Sequence, residues 1–279
     1  MAAKMFDGKD FARKKELELA EKVKRLDRVP KLVSIVVGED RASHLYVNLK
    51  GEAAKRVGIQ FKKIEFKVKN EKLKVEEIIN IINKLNGDDL VTGIMVQMPL
   101  PQDIRDKTFD IVSAIAPEKD VDGLTGRGRF LARRTGLGRL TFLPATVKAV
   151  LKILEAEKVA VAGKPVVVVG RSRILGRPLA EELRRLGAKV TVAHSQTPDL
   201  GAVTRTAEIL VSATGKPGLV TRDMVKPGAV VIDVGEPRGD VNEGVQEVAS
   251  FVTPVPGGVG PVTVACLIEN VVDAAGSGV

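Results

Sequence analysis

Pro165-Val-Val-Val-Val169, Gly170-Arg-Ser-Arg-Ile-Leu-Gly-Arg-Pro178 and Leu179-Ala-Glu-Glu-Leu-Arg-Arg-Leu186 follow one another without interruption in the second half of the chain. The first is a continuous β-branched run, as a strand buried on both faces requires. The last reads as a helix, and glycine makes the turn between them. A buried strand that turns through glycine into a helix aims free backbone N–H groups and the positive end of the helix dipole at one point, which suits a phosphate. The spacing differs from G-x-G-x-x-G: Ser172 stands where the second glycine would be, and one extra residue precedes Gly176.

The flanking sequence extends the pattern. Val190-Thr-Val-Ala193, Ile209-Leu-Val-Ser-Ala213 and Ala229-Val-Val-Ile-Asp-Val234 read as further strands, and Thr146 to Lys158 reads as a helix leading into the first. Strands alternating with helices of this length predict a doubly wound parallel sheet, Rossmann-like in form. The first half repeats the rhythm. Helices are expected over Phe11–Asp27, Ser43–Val57 and Val75–Leu85, and strands over Lys31–Val37, Ile59–Val68 and Gly93–Gln97. Gly58 and Asn86-Gly87 are the stop signals of the second and third helices. Gly123 to Arg139, rich in Gly and Arg, reads as a connecting loop. Pro254-Val-Pro-Gly-Gly-Val-Gly-Pro261 is too dense in Pro and Gly for regular structure, and a last helix is expected over Val262–Ala275. The fold class is therefore α/β, with two α/β domains and a cleft expected between them.

Bulk composition narrows the function. Charged residues make up 28% and hydrophobic residues 44%, ordinary for a soluble globular chain. No apolar run reaches the length of a membrane span, and Met1-Ala-Ala-Lys-Met-Phe-Asp7 lacks the apolar core of a signal peptide, so no membrane partner is expected. The single cysteine, Cys266, permits no internal disulfide and points to a reducing compartment, the cytoplasm. With only His44 and His194 beside it, no Cys/His metal site is expected. The net charge of +9 invites a nucleic-acid reading. Much of that excess, however, is spread along helices and interleaved with glutamates; the one concentrated block is Arg127 to Arg139, and aromatics make up 3% of the chain with no Trp. Stacking platforms for bases are therefore scarce, and no nucleic-acid partner is expected.

The candidate chemistry lies in the first half and at its end. Tyr46 and Lys50, four residues apart, share one face of a helix that starts just after the carboxyl end of a strand, where open α/β folds place ligands. The spacing alone is common on exposed helices; the position sets it apart. Gln97 lies at another strand end, with Pro99 and Pro101 fixing the backbone beyond it. Asp120 and Asp122 alternate along Pro117-Glu-Lys-Asp-Val-Asp-Gly123, so one acid is expected to face a ligand and the other to brace the turn. A desolvated lysine has its ammonium form disfavoured and can serve as acid or base nearer neutrality. A glutamine can orient it, an aspartate can anchor a polar ring, and a tyrosine supplies a flat face for stacking. No Ser/His/Asp arrangement for nucleophilic hydrolysis appears.

Taken together, Tyr46-Val-Asn-Leu-Lys50, Gly93-Ile-Met-Val-Gln-Met-Pro-Leu-Pro101, Pro117 to Gly123, Gly170 to Pro178 and Thr253-Pro-Val-Pro-Gly-Gly-Val-Gly-Pro261 resemble the bifunctional methylenetetrahydrofolate dehydrogenase/cyclohydrolase family. The likeness covers nearly the whole chain, and five ordered segments at the right separations are far more specific than any one. It implies oxidation of 5,10-methylenetetrahydrofolate with NADP, then hydrolysis of the methenyl product to 10-formyltetrahydrofolate. The implied catalytic set is Lys50, Gln97, Asp122 and Tyr46. Lys50 serves hydrolysis, Gln97 orients it, Tyr46 stacks on the folate and Asp122 grips the pterin, while Gly260 and Pro261 shape the folate pocket. The implied cofactor residues are Gly170, Arg171, Ser172, Ser195, Thr214, Gly215 and Glu236, with Arg171, Ser172 and Ser195 near the adenosine 2′-phosphate. An arginine there favours NADP, and no acid ends the second strand of this domain, where Ala193-His-Ser195 stands. The resemblance also implies a homodimer. Its domains would be residues 1–122 with the C-terminal helix 262–279 for folate chemistry, and 140–261 for NADP. The chain departs from the family pattern at Pro144-Ala-Thr-Val147 and at Glu236-Pro237, and its loop up to Asp240-Val241 is short. Other readings are a dehydrogenase for a different pterin carrier, one that has lost hydrolysis, and a basic nucleic-acid binder on a Rossmann scaffold.

Overall fold

A computed structural model of the chain describes residues 2–67, 75–125 and 142–276. The Gly- and Arg-rich segment expected as a loop lies largely outside the described residues. Two compact units are present, one of Arg13–Ala145 and Val264–Val279, the other of Met1–Ala12 and Thr146–Thr263.

The first unit is built on three parallel strands. β2 (Lys31–Val37) is central, with β3 (Gln60–Phe66) on one side and β4 (Gly93–Val96) on the other. Pairing is continuous from Lys31↔Gln60 to Val37↔Phe66 and from Leu32↔Gly93 to Ile35↔Val96. Helices α2 (Arg41–Val57) and α3 (Val75–Asn86) make the crossovers. The side chains of Val33, Ile35, Ile78, Ile82, Ile94, Val96 and Ile111 bury one face of the sheet. Asp40 caps α2 by accepting from the Ser43 amide at 2.7 Å, and Gly58, at φ 90°, ends it in the left-handed conformation. The end of α3 is held differently. The Lys119 ammonium donates to the carbonyls of Leu85, Asn86 and Asp88 at 3.1, 2.8 and 2.7 Å. The short helix α4 (Thr108–Ser113) follows β4.

The second unit carries a six-stranded parallel sheet. Five of its strands are β5 (Pro165–Val169), β6 (Lys189–Ala193), β7 (Ile209–Ser212), β8 (Val230–Asp233) and β9 (Phe251–Val252). The sixth is β1 (Lys4–Met5), and the order is β1-β9-β8-β7-β5-β6. From β5 the chain goes out to β6 and returns on the other side to β7, so the order reverses between β5 and β7. Such a switch point opens a crevice at the strands' carboxyl ends. Helices α5 (Ala145–Ala156), α6 (Gly176–Arg185) and α7 (Leu200–Thr204) belong to this unit.

Two expectations are corrected. Residues 1–122 do not all belong to one domain: β1 pairs with β9, Lys4↔Phe251 and Met5↔Val252, in the six-stranded sheet. The segment Pro254–Pro261 is not wholly irregular either, because the last helix, α8 (Val259–Gly276), starts three residues before Val262. Pro261 falls in its first turn, where a proline's missing N–H costs no intrahelical bond. α8 is, among the described residues, the one helix long and apolar enough to cross a membrane, and 67% of it is buried within the protein, as a core helix is. Its neighbour at the other end of the chain, α1 (Gly8–Val23), starts against the turn before α8: a Cβ on Gly8 would lie 1.9 Å from the Gly258 carbonyl oxygen.

Candidate active site

The helix α2 delivers two of the expected residues together. Side chains of an α-helix lean toward its N-terminus, so Lys50 reaches back toward the strand ends and over the previous turn. Its ammonium lies 5.4 Å from the centroid of the Tyr46 ring. Lys50 is only 6% exposed and Gln97, just beyond β4, only 7%. Lys50 Nζ donates to Gln97 Oε1 at 3.0 Å, and Gln97 Nε2 donates to the Met98 carbonyl at 2.6 Å. The second bond fixes the amide, since only its nitrogen can donate to a carbonyl, and therefore presents oxygen to the amine.

One of the two aspartates braces the turn, as their alternation predicts. It is Asp120: its carboxylate accepts from the amides of Leu124 and Thr125 at 3.2 and 3.0 Å and from the Thr125 hydroxyl at 2.8 Å. Burial raises its pKa, against the pull of those hydrogen bonds. Asp122 sits in the field of Lys50. Burial pushes its carboxyl above the ordinary range, and the Lys50 charge draws it back. The strand β4 approaches this segment closely. Ile94 N donates to the Lys119 carbonyl at 2.8 Å, and a Cβ on Gly93 would lie 2.7 Å from the Val121 side chain. Tyr46, Lys50, Gln97 and Asp122 thus form one cluster in one unit. It can stack a flat ring, hold a polar ring edge and move a proton.

At the switch point of the other unit, Gly170 has φ 129°, and a Cβ on it would lie 2.6 Å from the Ala213 carbonyl oxygen. A Cβ on Gly176 would lie 2.1 Å from the Gly170 carbonyl. Both glycines are required by the closeness of strand, turn and helix. The Ser172 hydroxyl accepts from the amides of Leu175 and Gly176, each at 3.2 Å, so the serine in the second-glycine position serves the helix start.

Residues 6–122 match the family model of the tetrahydrofolate dehydrogenase/cyclohydrolase catalytic domain, and residues 144–278 that of its NAD(P)-binding domain. The chain belongs to the tetrahydrofolate dehydrogenase/cyclohydrolase family. It is 46% identical to the bifunctional protein FolD of Exiguobacterium sibiricum, over 98% of this chain and 99% of that one. The crystal structure of FolD from Campylobacter jejuni shares 39% identity at a TM-score of 0.90, with 99% of each chain covered. That of the Trypanosoma brucei enzyme, complexed with NADP cofactor and inhibitor, shares 36% at 0.90, over 99% of this chain and 98% of that one.

The NAD(P)-binding domain of this family member fits a phosphorylated dinucleotide. Arg171 is exposed at the turn, and its guanidinium donates to Gln196 Oε1 at 3.0 Å and lies 3.5 Å from His194 Nε2. These contacts hold a positive charge over the end of β6 beside the exposed Ser195, with no carboxylate in Ala193-His-Ser195 to repel a phosphate. Thr214 and Gly215 follow β7, the strand next to β5, and the Thr214 amide donates to Asp240 Oδ2 at 2.6 Å. Glu236 is exposed in the loop after β8, joined to Pro237 by a cis bond. Gly260 and Pro261 lie in the first turn of α8, in the unit of the six-stranded sheet. The two histidines are local hydrogen-bonding residues. His44 Nε2 lies 3.0 Å from the Gly38 carbonyl, and His194 Nδ1 accepts from the Gln196 amide at 3.2 Å.

Sequence reasoning missed a pair of buried aspartates that shape the loop after β8. Asp233 accepts from the amides of Gly235, Asp240 and Val241 at 2.8, 3.0 and 2.9 Å. Asp240 Oδ2 accepts from the Ser212 hydroxyl at 2.8 Å as well as from Thr214. Together they tie the loop carrying Glu236 to the ends of β7 and β8. The acid at the end of Ala229-Val-Val-Ile-Asp233 was the available signal, since a carboxylate closing a buried strand needs donors.

Proposed function

We propose that the chain oxidises 5,10-methylenetetrahydrofolate to the 5,10-methenyl compound with NADP and then hydrolyses that product to 10-formyltetrahydrofolate. The observation that carries the reading is the buried Lys50–Gln97 hydrogen bond with Tyr46 and Asp122 beside it. Family membership over both domains supports the same pair of reactions. Bound NADP supplies the hydride acceptor. Gly170, Arg171, Ser172, Ser195, Thr214, Gly215 and Glu236 are the residues assigned to hold it, with Arg171 and Ser195 on the 2′-phosphate. Asp122 accepts hydrogen bonds from the pterin edge, Tyr46 stacks on the folate, and Gly260 and Pro261 shape its pocket.

Loss of hydride leaves a cation stabilised by two nitrogens, so the first step needs chiefly alignment. The second step needs proton transfer. Water adds to the bridging carbon and gives up both its protons as its oxygen becomes the formyl carbonyl: one is taken up by the nitrogen whose bond to that carbon breaks, and the other is released to solvent. Lys50 is the residue assigned to carry these protons, with Gln97 presenting an acceptor to its amine. A homodimer and a cytoplasmic location complete the reading.

The test is an assay of the purified protein with methylenetetrahydrofolate and NADP. Reduced cofactor should appear together with the methenyl chromophore, which then decays by hydrolysis. Formation of neither reduced cofactor nor methenyl compound would overturn the proposal, and a stable methenyl product would remove its second half.

A further inference from the structure

We infer that Asn270 is a positioning residue for the folate site, acting through Asp122; the inference rests on the role just proposed for that aspartate. Asn270 lies on α8 and is 1% exposed. Its side-chain nitrogen donates to two carbonyls far away in sequence, that of Val121 at 2.8 Å and that of Leu143 at 3.2 Å. The Val121 carbonyl belongs to the peptide unit that carries the Asp122 amide, so Asn270 holds the plane from which Asp122 projects. The residue on the other side is held as well. Gly123, at φ 65°, packs so closely on the backbone of Phe142, Leu143 and Pro144 that a Cβ there would lie 2.7 Å from each. Asn270 and Gly123 therefore bind the chain on both sides of Asp122 to the strand of backbone entering α5. A buried amide that donates to two carbonyls cannot be replaced by an apolar group without leaving both unsatisfied. Asp122 supplies a charge whose usefulness depends on where its oxygens point, and here the pointing is set from the last helix.

Asn270→Ala should raise KM for the folate substrate about tenfold, the loss expected when a buried hydrogen bond that orients a binding carboxylate is removed. The kcat should change less, and KM for NADP should not move. Asn270→Ser, whose hydroxyl can still donate one bond, should fall between wild type and alanine, and it decides the matter if the alanine variant does not fold. Asp122→Asn is measured in parallel, alone and combined with the Asn270 substitution. If Asp122→Asn raises folate KM, the double variant should be little worse than Asp122→Asn alone, because both act through the same contact. Additive effects, equal rises in KM for both substrates, or an unchanged folate KM in a folded Asn270 variant would overturn the inference. A folate KM indifferent to Asp122→Asn would instead overturn the role assigned to Asp122.

Discussion

Lys50 and Gln97 form a directional pair: the amine donates to the amide oxygen at 3.0 Å, while the amide nitrogen is spent on the Met98 carbonyl. Gln97 therefore cannot turn its nitrogen toward Lys50 without losing a bond on each side. The acceptor facing the amine is neutral, so it orients Lys50 without adding a negative charge that would hold the proton on it.

From this follows the first expectation. Lys50→Ala should lower the rate of methenyltetrahydrofolate hydrolysis by about 10²–10⁴-fold, the usual contribution of a positioned acid–base group, and spare more of the hydride transfer. Both rates can be read on one sample, by decay of the methenyl chromophore and by formation of reduced cofactor. Equal loss of the two activities in a folded variant would remove the division of labour.

A second expectation concerns pH. Burial raises the Asp122 carboxyl above the ordinary aspartate value of about 3.9, and Lys50 opposes the shift without reversing it. Substrate binding that needs the ionised carboxylate should weaken as pH falls through this raised value, at a pH where an ordinary aspartate is still charged. Folate KM should climb on that acid limb, and the limb should be absent from Asp122→Asn. An identical acid limb in the variant would assign it to another group.

The guanidinium of Arg171 is held by Gln196 at the end of β6. Removing a charge-assisted hydrogen bond costs about 1.5–3 kcal/mol, so Arg171→Ala should raise KM for NADP by about 10–150-fold. KM for NAD should be nearly unchanged, because NAD lacks the 2′-phosphate. An unaltered preference for NADP would show that the phosphate is held elsewhere.

Lys119 lies in the same segment as Asp122 but closes α3, with three carbonyls around its ammonium. Lys119→Met keeps the length of the side chain and removes the donors. It should destabilise the folded state by about 1–3 kcal/mol in urea unfolding. Folate KM should change much less than in Asp122→Asn. Unaltered stability would mean that water replaces the ammonium at no cost.

What could be read from the sequence was what the chain encodes locally. β2 and β5 fall on the residues their β-branched runs mark, because a strand buried on both faces leaves that composition behind. Tyr46 and Lys50 were legible because helical spacing puts them on one face of a helix that follows a strand's carboxyl end, and Asp120 and Asp122 because extended backbone alternates. β1 and β9 were not, since two-residue strands have no periodicity and pair across more than half the chain. Helices α6 and α8 start three residues before Leu179 and Val262, where the sequence pattern begins, because a first turn tolerates Pro178 and Pro261. Asn270 left no trace: its partners are 149 and 127 positions away, and nothing near it in sequence announces them.

The strand at Lys4–Met5 and the helix at Val259–Gly276 have a practical consequence for anyone dividing this protein. Each compact unit is assembled from two separate stretches of sequence, one long and internal, the other short and at a terminus. A single cut near residue 144 would strip the nucleotide half of its outermost strand and the folate half of the amide that steadies Asp122. Expressing either activity by itself would call for a rewired chain, with β1 spliced beside β9 or the tail of the last helix grafted back, rather than for a shorter gene.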